Sequence, residues 1–270
     1  MVQRQKALRW VWAIDLTKMR QIYIAILTLL ILAGGCTSAD APDCIQAAGD
    51  LVTKQFDLGE FDRIRIEDGV RMVVRQGDER EVVLESGEFL IDDISVSIDG
   101  DVLVVGSNNK CNFFREYGLT TVYVTTPELR EIRNSSRFEV RSEGVLNFPR
   151  LFLFSNTSGE GASGKKSGDF YLTVDVNNLR ISANGVSVFY LDGNARNATY
   201  IFSDEQPRLE AADLIADNID ITQVSANKMI INPQLSLTGV IRGVGDVIAV
   251  NRPEIVEVEE LFTGRLIFED

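Results

Sequence analysis

The sequence predicts an all-β protein in which antiparallel hairpins lead into a parallel β-helix. Three observations predict it. Apolar and polar residues alternate through residues 60–106, around an Asp-Gly pair at 99–100. Beyond about residue 120, short apolar pairs return every 18–21 residues. Between those pairs, asparagines and glycines fall at turn-like places. Alternation of period two is the mark of a strand with one buried face, and an Asp-Gly pair inside it is a strong hairpin signal.

In the first part, Ile64 and Ile66 alternate with arginines, Glu67-Asp68-Gly69 makes a turn, and Val70, Met72 and Val74 alternate again. Gln76-Gly77-Asp78 turns the chain into Val82-Val83-Leu84, and Ile94, Val96 and Ile98 lead through Asp99-Gly100 to Val102–Val105. In the second part, Leu179 and Ile181 are followed by Tyr200 and Phe202, then Ile219 and Ile221, Leu237, and Val256 with Val258. One coil of about 20 residues cannot bury its own apolar side, but stacked coils share a core. A β-sandwich with evenly spaced strands is the alternative. Val188 is expected in that core, so an aspartate there should unfold the domain. Ser155–Gly168, rich in serine and glycine, reads as a loop, and Pro207–Ala216 as strand-turn-strand in spite of some helix propensity.

The first 36 residues are set apart. Ile22–Ala33 is an uncharged run of 12 residues, short of the roughly 20 needed to span a bilayer and of the length of a signal-peptide core. Lys18 and Arg20 precede it, and Ala33, Gly34, Gly35 and Cys36 follow. That order resembles the lipobox of bacterial lipoproteins, although Ala33 stands where leucine is usual. The resemblance implies lipidation of Cys36 and removal of a signal peptide, residues 1–35. A plain secretion signal and an uncleaved anchor are the alternatives. Met19 opens a more ordinary signal than Met1 does, which points to a start at Met19. Residues 36–54 read as a lipidated tether and 55–270 as the β domain.

Composition narrows the chemistry. The net charge is −13. Residues 1–35 hold five basic residues (Arg4, Lys6, Arg9, Lys18, Arg20) and one acid (Asp15), so the remainder has 22 basic and 39 acidic residues and a charge of −17. Such a surface repels nucleic acid, which excludes it as a partner. There is no histidine, which removes Ser-His-Asp and Cys-His catalysis and the common zinc sites. With Cys36 assigned to lipid, Cys44 and Cys111 form one pair in an oxidising compartment and are expected to be a disulfide, free buried thiols being the alternative. Asp92, Asp93, Asp99 and Asp101 form the densest carboxylate group. They read as turn and solvated-edge residues rather than calcium ligands, so neither a metal nor another cofactor is expected. Phe113, Phe114, Arg115 and Tyr117 cluster beside Cys111. They are either a binding surface of aromatic and arginine side chains or rings that cap the open end of the core.

With these segments in view, the chain resembles the putative auto-transporter adhesin, head GIN domain family. The resemblance is carried by the hairpins of Phe56–Val105, by Ala212–Asp217, Ser225-Ala226-Asn227 and Leu235–Asp246, and by the closing Gly264-Arg265-Leu266. Val244 between Gly243 and Gly245, and Phe262-Thr263 before Gly264, depart from the family's glycine-rich endings. The resemblance implies a right-handed β-helix-like fold in envelope proteins of gram-negative bacteria, and no established activity. The combined expectation is an outer-membrane lipoprotein, held to the membrane by lipid, with a non-catalytic, adhesin-like domain that meets an envelope glycan or protein. A structural envelope protein without a ligand is the alternative. A carbohydrate-active β-helix enzyme is the third, and it would need an acid pair in a groove.

Overall fold

The computed structural model describes residues 16–33, 44–109, 111–113, 116–159 and 165–269. Among the described residues the one α-helix, α1 (Leu16–Ala33), takes in the apolar run. Among the described residues no helix is long and apolar enough to cross a membrane. Strands follow: β1 (Leu51–Phe56), β2 (Arg63–Glu67), β3 (Val70–Gln76), β4 (Glu81–Gly87), β5 (Ile94–Asp99), β6 (Val102–Ser107), β7 (Thr120–Thr126), β8 (Glu131–Ser135), β9 (Val140–Leu146) and β10 (Arg150–Ser155). Four long strands follow, β11 (Phe170–Ala183), β12 (Val188–Phe202), β13 (Arg208–Gln223) and β14 (Met229–Ile241), then β15 (Val247–Ala249), β16 (Ile255–Glu260) and β17 (Leu266–Phe268).

Pairing arranges these strands in two rows. One runs β1–β4–β7–β3–β9 and on through the first halves of β11, β12, β13 and β14 to β15 and β17. The other runs β5–β6–β2–β8–β10 and through the second halves of the same long strands to β16. The long strands belong to both rows, so all seventeen strands join in one mixed sheet. The fold is therefore all-β, as expected. The sheet is nearly barrel-shaped and not a clearly defined right-handed parallel β-helix. The reason lies at its N-terminal end, where β1, β4 and β5 pair antiparallel and are continuous with the parallel strands instead of forming a separate hairpin unit.

The recurrence seen in the sequence is a real stack, with one change of register. Leu179 lies beside Ala198, then Ile219, Leu237 and Val256, while Ile181 lies beside Tyr200, Ile221, Gly239 and Val258. Tyr200 thus belongs over Ile181 and not over Leu179; alanine is too weak an apolar mark for periodicity to detect. A second column runs Phe170, Phe189, Leu209, Met229, Val247 and Leu266. Phe170 and Phe189 stack with centroids 4.6 Å apart, close to the spacing of neighbouring strands. Apolar side chains of both rows form one buried cluster. Val188 is not part of it: it is half-buried, and the fully buried residue is its neighbour Phe189.

Asparagines form a ladder across the middle of the long strands. Asn197 Nδ2 donates to Asn178 Oδ1 at 3.3 Å, Asn218 Nδ2 to Asn197 Oδ1 at 3.1 Å, and Ser236 Oγ to Asn218 Oδ1 at 2.8 Å. Each side chain offers a donor to one coil and an acceptor to the next. The closing turns also bond from coil to coil, Val186 N to Lys166 O, Gln206 N to Gly185 O, Ala226 N to Glu205 O, and Gly245 N to Ser225 O. Gly245 is needed because a Cβ there would overlap the Asn227 carbonyl oxygen.

Two sequence expectations change at the N-terminal end. Glu67-Asp68-Gly69 is a corner and not a hairpin turn: β2 and β3 lie in different rows and pair, in parallel, with β6 and β8 and with β7 and β9. Asp99-Gly100 is the true hairpin, with Asp99 opposite Val102 and Gly100 at φ +64. Strand pairing begins at Leu51, so the sheet takes in the last residues of the expected tether. Pro207–Ala216 is not strand-turn-strand: from Arg208 onward it belongs to one continuous strand, β13.

Candidate functional site

Cys44 and Cys111 form a disulfide across 67 residues of sequence, with Cα atoms 4.4 Å apart. The segment it holds is packed rather than free. Buried Gln46 donates to the Phe89 carbonyl at 2.7 Å and accepts from Asn109 Nδ2 at 2.7 Å, and Phe113 N donates to Cys44 O at 3.0 Å. Beside it lies an open cleft of about 670 Å³, lined among others by Arg65, Asp68, Cys111, Tyr117, Arg137 and Lys165.

Of the four residues expected to form a binding surface, Phe113 and Tyr117 are 72% and 68% exposed. Neither ring caps the core. Tyr117 donates its hydroxyl to the Asn112 carbonyl at 3.0 Å and lines the cleft. Phe114, Arg115 and the lipidation residue Cys36 lie outside the described residues.

The charged centre of the cleft is Asp68, on the corner between β2 and β3. Arg137 grips both its oxygens, Nε at 3.0 Å and Nη2 at 2.9 Å, and Lys165 forms a further ion pair with it. Burial raises the Asp68 carboxyl, but hydrogen bonds and charge from Arg137 and Lys165 outweigh this and hold it below its ordinary value. Sequence reasoning missed this cluster because its members lie far apart in the chain.

A second, smaller groove of about 350 Å³ lies on the other row, lined by Arg63, Arg65, Glu131, Arg133 and Phe154 among others. The Arg133 guanidinium sits 4.8 Å from the Phe154 ring centroid, and its Nη1 donates to Asn156 Oδ1 at 3.0 Å. Burial lowers the Arg133 pKa and raises that of Glu131. The aspartate group read from the sequence disperses: Asp92 pairs with Lys54 at 2.9 Å and Asp101 with Arg63 and Arg130. Among the described residues no three metal-ligating side chains come together.

The sequence of residues 60–253 matches the model of a family described as putative auto-transporter adhesin, head GIN domain. The chain belongs to that family. No curated protein matches it. Solved structures share this fold, three among them as follows. A putative adhesin from Bacteroides fragilis is 17% identical, with TM-score 0.73 and coverage of 83% of this chain and 99% of that one. A putative adhesin from Parabacteroides merdae is 19% identical, with TM-score 0.56 and coverage of 82% and 97%. A putative lipid binding protein from Parabacteroides distasonis is 16% identical, with TM-score 0.57 and coverage of 81% and 97%. At these identities the likeness is one of fold.

Proposed function

We propose that this head GIN protein is a non-catalytic, adhesin-like binding module of the bacterial cell envelope, lipidated at Cys36, anchored in the outer membrane of a gram-negative cell, and facing an envelope glycan or protein. The observation that carries the reading is the open cleft beside the disulfide. It presents exposed Tyr117 next to the Asp68–Arg137–Lys165 cluster, and Phe113, also exposed, stands two residues from Cys111 on the same segment. Rigid aromatic and arginine side chains on a held segment are what recognition surfaces use. The family's description as a putative adhesin, and the same name on two fold neighbours, support this reading.

The test has two arms. Purified residues 37–270 are applied to a glycan array and to envelope fractions, with Tyr117→Ala alongside. Binding that weakens in the variant supports the reading, and no binding to either target sinks it. Labelled fatty acid should enter the full chain and not Cys36→Ala; incorporation into the variant removes the anchor.

A further inference from the structure

The tripeptide Phe-Tyr-Leu occurs twice, at 170–172 and 189–191. The parallel register sets the two copies side by side. The phenylalanines stack inside, and the tyrosines stack outside, with centroids 4.6 Å apart and planes 8° from parallel. On the same outer line, Arg141 of β9 lies beside Tyr171, its guanidinium 4.0 Å from the ring centroid, and Glu139 holds Arg141 at 3.4 Å. Both faces of Tyr171 are therefore occupied, one by a cation and one by a ring. Tyr190 ends the ladder. It is 39% exposed, and the next residue on the line is Glu210, tied down by Arg208.

The sheet opens at this point. Between β12 and β13 the register runs from Tyr190 opposite Glu210 to Gly193 opposite Leu214, so Leu191-Asp192 faces the three residues Ala211-Ala212-Asp213. A bulge of one residue locally breaks the ladder and redirects side chains, and bulges are frequent beside binding sites. Here it borders a groove of about 390 Å³ whose lining includes Tyr190, Asp192, Glu210 and Asp213, and one cation, Arg141, which Tyr171 and Glu139 already engage. Asp192 and Asp213 are exposed and form no ion pair among the described residues.

We propose that this groove is a subsite for a neutral sugar ring, with Tyr190 as the stacking platform and Asp192 and Asp213 as hydroxyl acceptors. The proposal rests on the envelope-binding reading above and names a ligand class and a second place for it. An aromatic face carries partial negative charge, and the C–H bonds on one side of a pyranose carry the complementary positive edge. Carboxylates without ion-pair partners accept hydrogen bonds from sugar hydroxyls and repel uronates and phosphates. The rest of the ladder holds Tyr190 in place, which reduces the ordering cost of binding.

Saturation-transfer NMR on residues 37–270 tests this, with cellotetraose, chitotetraose and maltotetraose as neutral probes and tetragalacturonate as the acidic one. At least one neutral probe should bind, and tetragalacturonate should bind more weakly. Tyr190→Ala should weaken that binding roughly tenfold, the scale of one aromatic contact. Tyr190→Phe should hold it within a few-fold, and Asp192→Ala, on an exposed side chain, should weaken it without loss of fold. Unchanged affinity in both Tyr190→Ala and Asp192→Ala overturns the proposal, as does preference for tetragalacturonate. If no neutral probe binds while Tyr117→Ala still weakens binding to envelope fractions, the sugar subsite is wrong and the adhesin-like reading stands.

Discussion

Phe189→Ala probes the stacked core directly. Phe189 is fully buried, stacks on Phe170 at 4.6 Å and lies 5.9 Å from the Phe202 ring. Truncating a buried phenylalanine typically costs about 3–5 kcal/mol, through lost transfer energy and the cavity left behind. Two ring partners place this site in the upper half, at about 4–5 kcal/mol. That is a large share of the roughly 5–15 kcal/mol that holds most domains folded. Val188→Ala is the control one position away, on a half-buried side chain, and should cost only about 1 kcal/mol. Urea denaturation followed by far-UV circular dichroism, without reductant, measures both. If Phe189→Ala costs no more than Val188→Ala, the inward-facing set along β12 is misassigned, and with it the register of the stack.

Cys111→Ser should lower stability by about 4 kcal/mol on the chain-entropy model, given the length of the closed loop; reduction of the native protein should lower its thermal midpoint in the same way, and an unchanged midpoint would refute this. Asn197→Ala breaks the side-chain ladder in the middle, losing bonds to Asn178 and Asn218, and should cost about 1–2 kcal/mol in the same denaturation assay. Asp68 and Asp169 should give opposite acid responses. The folded-state pKa of Asp68 is depressed, so its contribution is present above its ordinary 3.8 and is lost as pH falls below that value; Asp68→Asn should flatten that acid limb in a pH series of melts. Burial raises the Asp169 carboxyl, only partly opposed by its hydrogen bond from Val188 N at 2.8 Å, so its ionisation weakens the fold above its raised pKa and falling pH relieves it; Asp169→Asn should therefore be more stable than wild type at neutral pH.

Much of the fold was legible before any coordinates because its signals are local. Alternation around Asp99-Gly100 marked a true hairpin, since an Asp-Gly turn needs only its own residues. The return of apolar pairs after residue 120 marked the stack, since every coil meets the same core. The disulfide followed from counting three cysteines and assigning one to lipid. The register was less legible: Ala198 carries the column between Leu179 and Ile219, and its small side chain leaves no periodic signal. The repeated Phe-Tyr-Leu at 170 and 189 was a signal of that register lying open in the sequence.

By itself, then, the sequence determined strand content, the coil period, the cysteine pairing and the absence of histidine chemistry, all properties of single residues or of short spacings. Only the tertiary structure decided that β2 and β3 separate at a corner instead of forming a hairpin, that Asp68 meets Arg137 and Lys165, and that two tyrosines and Arg141 make one ladder ending at a bulge. The physical reason is common to all three. A strand's partner is chosen by the burial of both rows at once, so a parallel stack brings together residues that are neighbours across coils and strangers along the chain.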